Sequence, residues 1–100
     1  MTKHVILWTL HERCYGPQLE NIKSNIKTNL ESLKGQIPGL IDICVYTNPL
    51  STSNADIMLD STFESPEALK SYAIHPAHVA VADEYVRPYT SSRTCMDYEV

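Results

Sequence analysis

Leu40-Ile41-Asp42-Ile43-Cys44-Val45-Tyr46-Thr47, followed after a polar break by Ala55-Asp56-Ile57-Met58-Leu59-Asp60-Ser61-Thr62-Phe63-Glu64, is the stretch that decides the fold. The first run reads as a strand with Ile41, Ile43 and Val45 on one face. The second alternates without a slip, placing Ile57, Leu59, Ser61 and Phe63 opposite Asp56, Met58, Asp60 and Thr62. A period of two marks a strand with one buried face. The connector Asn48-Pro49-Leu50-Ser51-Thr52-Ser53-Asn54 is polar, so the two strands are expected to pair antiparallel.

Upstream the period changes. Leu19, Ile22, Ile26, Leu30, Leu33 and Ile37 recur at steps of three and four after Pro17, which predicts a helix closed by Gly35 and Pro38-Gly39. Glu20, Lys23, Lys27, Glu31 and Lys34 fall off that stripe and form its solvated side. Before it, His4 to Leu10 reads as a strand apolar on both faces, with His4, Ile6, Trp8 and Leu10 on one and Val5, Leu7 and Thr9 on the other. Downstream, Ser65-Pro66-Glu67-Ala68 is a helix start, a serine cap followed by proline and an acid in the first turn. This second helix runs to about Ile74, breaks at Pro76 and continues to about Val86. Pro88 and Ser91-Ser92-Arg93 end it, and Thr94 to Val100 is the last strand.

The order β-α-β-β-α-β, with the second helix split, predicts an α+β, ferredoxin-like fold in which a four-stranded antiparallel sheet carries its helices on one face. The other face is left uncovered although strands one and three are apolar there. Pairing of two copies through their sheets into a shared barrel, a homodimer, would cover it.

One hundred residues, 43% of them hydrophobic, suffice for a single domain spanning 1–100. A net charge of −4 argues against a nucleic-acid partner. Cys14, Cys44 and Cys95 are odd in number and lack C-x-x-C spacing, which suits a reducing compartment. The apolar run Val5 to Trp8 is too short for a signal peptide, and no segment could span a bilayer, so no membrane partner and a cytoplasmic location are expected. No phosphate-binding glycine loop, nucleophile elbow or carboxylate pair is present, and no cofactor is implied.

The chemistry is concentrated in Tyr72-Ala73-Ile74-His75-Pro76-Ala77-His78. Two readings follow from the residue types. In one, His78 is a general base, because imidazole has an unperturbed pKa of about 6.5, with Tyr72 orienting it or donating to a substrate oxygen and His75 facing the same space. In the other, His75 caps the restarted helix, His78 bonds a backbone group and Tyr72 fills the core. His4 is either a polar group of the pocket or a histidine satisfied at its strand's edge. Trp8, Ile57, Leu59 and Phe63 either wall a cavity or are plain core. A cation shared by His75, His78 and a carboxylate such as Asp83 is conceivable but has no third ligand at a defined spacing, so no metal site is assigned. The carbonyls ending helix one, around Lys34 and Ile37, are a weaker cation candidate.

Lys3-His4-Val5-Ile6-Leu7-Trp8, Ile37-Pro38-Gly39-Leu40, Thr62-Phe63-Glu64-Ser65 and His75-Pro76-Ala77-His78, in that order and register, resemble the stress-responsive A/B barrel (Dabb) family over nearly the whole chain. The resemblance implies a dimeric ferredoxin-like barrel. A plant branch of that family, the olivetolic acid cyclases, carries a Tyr-x-x-His-Pro-x-His segment similar to Tyr72, His75 and His78, and a first-strand histidine similar to His4. By that resemblance His78 would be the base and Tyr72 its support. The branch has a third-strand histidine where this chain has Ile57, so its polyketide specificity does not carry over. The expectation is a small homodimer binding an aromatic or polyketide-like ligand in a His- and Tyr-lined apolar pocket, with cofactor-free cyclase, lyase or isomerase chemistry. A non-catalytic stress-associated interaction protein and a cofactor-independent monooxygenase are the alternatives.

Overall fold

A computed structural model describes all residues from Met1 to Val100. The strands are β1 (Thr2–Leu10), β2 (Leu40–Tyr46), β3 (Ile57–Phe63) and β4 (Thr90–Glu99). The helices are α1 (Leu19–Glu31), α2 (Pro66–Ile74) and α3 (Pro76–Val81), the last running on into a wider π turn over Ala82–Val86. All pairings are antiparallel and the sheet order is β2-β3-β1-β4, so β1 is central and flanked by β3 and β4. This is the expected ferredoxin-like arrangement with a split second helix. No helix is long and apolar enough to cross a membrane.

Alternation along β1 and β3 holds throughout. Thr2, His4, Ile6, Trp8 and Leu10, with Ile57, Leu59, Ser61 and Phe63, are buried beneath the helices. They meet Ile26, Leu30 and Leu33 from α1 and its C-terminal turn, and Tyr72 from α2, in one core. The opposite face carries Val5, Leu7, Met58, Met96 and Tyr98 with no element over it, and Leu7, Met96 and Tyr98 are exposed. Across that face Lys3 Nζ lies 2.7 Å from Asp60 and 2.9 Å from Thr62 Oγ1.

Three boundaries differ from the sequence reading. Regular α1 stops at Glu31, and Leu33, Lys34 and Gln36 continue as turns bonded three residues back, ending at Gly35 with φ +87°. Leu33 and Ile37 are still buried, which is why the apolar stripe outlasts the helix. In β2 a bulge between Leu40 and Asp42 inserts Ile41, so Leu40, Ile43 and Val45 face the core and Ile41 leaves the row. β4 begins at Thr90 rather than Thr94: Ser92 and Arg93 pair with Thr9 and Trp8. As an edge strand it needs only its backbone to join the sheet, and every one of its residues from Ser91 on is exposed.

Candidate functional site

The break at Pro76 builds the site. Proline disfavours helical geometry in the residue before it, and His75 sits extended at φ −66°, ψ 133°. From there its Nδ1 accepts a hydrogen bond from Ala77 N–H at 3.1 Å, capping α3. In an unbroken helix that N–H would donate to the Ala73 carbonyl. Instead the Ala73 oxygen lies 3.2 Å from His78 Nδ1. A carbonyl only accepts, so Nδ1 carries the proton and His78 Nε2 keeps its lone pair. His75 is spent on the cap and does not line the cavity described below, so the structure does not bring it together with Tyr72 and His78.

Tyr72, on the inner face of α2, is only 1% exposed. Its ring lies tilted on His78 with centroids 4.2 Å apart, packs edge-on to Phe63 at 4.9 Å, and stands 6.3 Å from His4. The phenol oxygen is buried with no hydrogen-bond partner. Burial pushes its pKa far above the ordinary phenol value, against a smaller opposing pull from Arg93, so Tyr72 is a proton donor at neutral pH. Burial drives His78 below the usual imidazole range. The Ala73 carbonyl opposes the shift, and the charges of Arg87, His4 and Arg93 reinforce it. His78 is therefore neutral near pH 7, with a free base nitrogen.

His4 faces Asp97 across the β1–β4 pair, with Nδ1 2.5 Å from Oδ1. Desolvation raises the Asp97 pKa, but the hydrogen bond and charge of His4 outweigh it and hold the carboxyl below its ordinary value. Cys95 Sγ lies 3.6 Å from His4 Nδ1 and 3.4 Å from the same carboxylate oxygen. These three donors, all within 4.8 Å of one another, are the set on this chain able to approach one metal ion. The trio His75, His78 and Asp83 does not assemble: each imidazole Nδ1 holds a backbone partner, and Asp83 pairs with Arg87. At the end of α1 the Ile37 carbonyl is taken by Leu40 N–H.

His4, Tyr72 and His78 converge on a cavity of about 370 Å³ between the helices and the sheet. Trp8 and Leu59 are among the residues that line it. Ile57 and Phe63 do not line it. Phe63 is fully buried behind Tyr72, and Ile57 lies toward the far end of the sheet, by the loop after β2. Ala82, Val86, Arg87, Thr90 and Arg93, none of them a candidate from the sequence, also line it, together with Ile6, Leu30, Leu69 and Ala73. Ala82 and Val86 are buried on the π turn that continues α3. Arg93 carries no signal in the sequence, because its run reads as a loop.

Residues 2–100 match the stress responsive A/B barrel domain, Dabb. The chain belongs to the Dabb family. No curated protein matches its sequence. Among solved structures, this Dabb chain is similar to a dimeric protein of unknown function with a ferredoxin-like fold from Bacteroides fragilis, 29% identical, TM-score 0.90, covering 99% of this chain and 95% of that one. A Dabb family protein from Mesorhizobium loti is 18% identical with a TM-score of 0.75 over 99% and 95% of the two chains. The hydroxynitrile lyase from Passiflora edulis is 14% identical, with a TM-score of 0.75 over 99% and 92%. The last two establish likeness of fold alone.

Proposed function

We propose that this Dabb protein is a homodimer, paired through its open sheet face, that binds a small aromatic or polyketide-like ligand and performs cofactor-free proton transfer on it. The observation that carries this reading is the pairing of a neutral His78, its tautomer set by Ala73, with a buried Tyr72 hydroxyl that has no partner. Leaving a buried hydroxyl unpaired costs about 1–3 kcal/mol. A ligand oxygen arriving in the cavity would remove that cost. In the proposed step His78 Nε2 takes a proton from the carbon beside the ligand's carbonyl, and the electron pair moves to the carbonyl oxygen. Tyr72 then stabilises that enolate oxygen by donating its hydroxyl hydrogen. The hydroxynitrile lyase from Passiflora edulis shares the fold but assigns no chemistry to this chain. The apolar residues on the open face, and the dimeric state described for the Bacteroides fragilis relative, support the pairing.

The test is hydrogen–deuterium exchange at the methyl group of acetophenone in heavy water, followed by NMR. The wild type should accelerate it. His78→Asn keeps an N–H near the Ala73 carbonyl but has no base nitrogen, and should lose the acceleration while remaining dimeric. Tyr72→Phe should slow it by roughly a hundredfold, as for the loss of one oxyanion donor. Equal exchange in wild type and His78→Asn overturns the assignment.

A further inference from the structure

The cavity has a charge asymmetry that proton transfer leaves unused. The chain holds 12 Asp and Glu against 8 Lys and Arg. Yet none of the 14 residues lining the cavity is acidic, and two are the arginines Arg87 and Arg93. Arg87 is committed to Asp83, one turn back on its own helix. Arg93 is in none of the protein's ion pairs. It stands on β4 opposite Trp8, at the junction of the cavity with a groove of about 540 Å³ along that strand, since it lines both.

We infer that the ligand of this cavity is a small monoanionic aryl carboxylate, its ring held among Trp8, Leu59 and Val86 and its carboxylate held by Arg93. The inference rests on the proposed binding function and narrows its substrate class. A guanidinium presents paired N–H donors that match the two oxygens of a carboxylate, and it keeps its charge at any physiological pH. Ligand cavities pair an apolar body with a few placed polar groups, and here one of them is a cation that neighbours the Cys95 thiol but is held by no carboxylate ion pair. Outside the junction the groove bears Asp97 and Glu99 against Lys70, which disfavours a second negative charge on the ligand.

Trp8, the one tryptophan of the chain, is part of the cavity wall, so its fluorescence reports occupancy alongside titration calorimetry. The probes are phenylacetate and its neutral near-isostere phenylacetamide at millimolar concentration. Wild type should favour phenylacetate by roughly tenfold to a hundredfold, the range of a charge-assisted hydrogen-bonded pair, and added salt should reduce the preference. Arg93→Gln should abolish the preference without changing the circular dichroism, since the side chain is exposed on an edge strand. Arg93→Lys should restore part of it. Equal affinities in wild type, or a preference that survives Arg93→Gln, overturn the carboxylate inference and leave the pocket standing. If neither probe binds and acetophenone exchange is not accelerated, the pocket reading fails and this inference fails with it.

Discussion

His4 and Asp97 oppose each other on adjacent antiparallel strands, and their side chains close to 2.5 Å on the helix side of the sheet. The pair ties the edge strand β4 to the central strand at a point where β4 buries nothing of its own. Because the folded Asp97 pKa is lowered, its contribution to stability is present above the unfolded value of about 3.9 and is lost as pH falls through the folded value. Asp97 is 47% exposed, so solvent screening keeps the contribution under about 1 kcal/mol. Asp97→Asn should therefore be slightly less stable than wild type at neutral pH, and the gap should close below about pH 4. Urea denaturation across that range checks it. A gap that persists undiminished in acid rules out the carboxylate as its source.

His78 gives the same sign over a different window. Its folded pKa lies below the imidazole value of about 6.5, so the folded state binds fewer protons than the unfolded state there. The stability tied to its neutral form is complete above about pH 6.5 and is lost as pH falls through the folded pKa. NMR titration of the His78 ring should show a depressed midpoint, and Arg93→Gln should move that midpoint upward by removing a positive neighbour. A midpoint at or above the free imidazole value would contradict the burial described for this ring.

Tyr72→Phe separates function from stability. The hydroxyl it removes is buried without a partner, so the unliganded variant should gain up to about 1 kcal/mol and melt several degrees higher, even as proton exchange slows. A loss of stability instead would mean that the hydroxyl is already satisfied in the free protein.

Much of this site was legible in the sequence, for identifiable reasons. The alternation of Ile57 to Phe63 and the proline between two histidines are local signals, and local signals survive folding. Alternation alone sets Ile41 in the row of Ile43 and Val45, because a bulge is a property of register against a partner strand, which no single strand records. His75 and His78 are three residues apart, a spacing that suggests a shared helix face, but His75 lies outside helical geometry and that spacing rule does not reach it. Arg93 reads as part of a terminating run because an exposed edge strand imposes no apolar period on its side chains.

Two glycines with nearly the same backbone should respond differently to alanine. Gly35 at φ +87° faces open space, so Gly35→Ala meets only the left-handed backbone penalty of about 1 kcal/mol. Gly39 at φ +83° would place a Cβ 2.5 Å from Ala68 Cβ, on the first turn of α2. Gly39→Ala adds that overlap to the same penalty and should cost about 3 kcal/mol in total. Gly39 thus sets how closely α2, which carries Tyr72, lies on the sheet. Thermal denaturation of the two variants compares them directly, and equal losses would show that the close approach is not maintained.

The open sheet face supplies the last prediction. Leu7 is 40% exposed at the centre of that face, between Met58 on β3 and Thr94 on β4, with Val5 and Met96 as the next pair along. A charge placed there points away from the core, so Leu7→Lys should change the stability of the isolated chain by only about 0.5 kcal/mol. In a sheet-to-sheet dimer the same lysine would be buried against its own symmetry mate or an apolar neighbour. A desolvation cost of about 3 kcal/mol makes dissociation roughly a hundredfold easier. Sedimentation equilibrium should therefore find wild type dimeric and Leu7→Lys monomeric at micromolar concentration, both with the same circular dichroism. A dimer unaffected by the substitution would mean that the copies meet elsewhere, leaving this apolar face without its proposed partner.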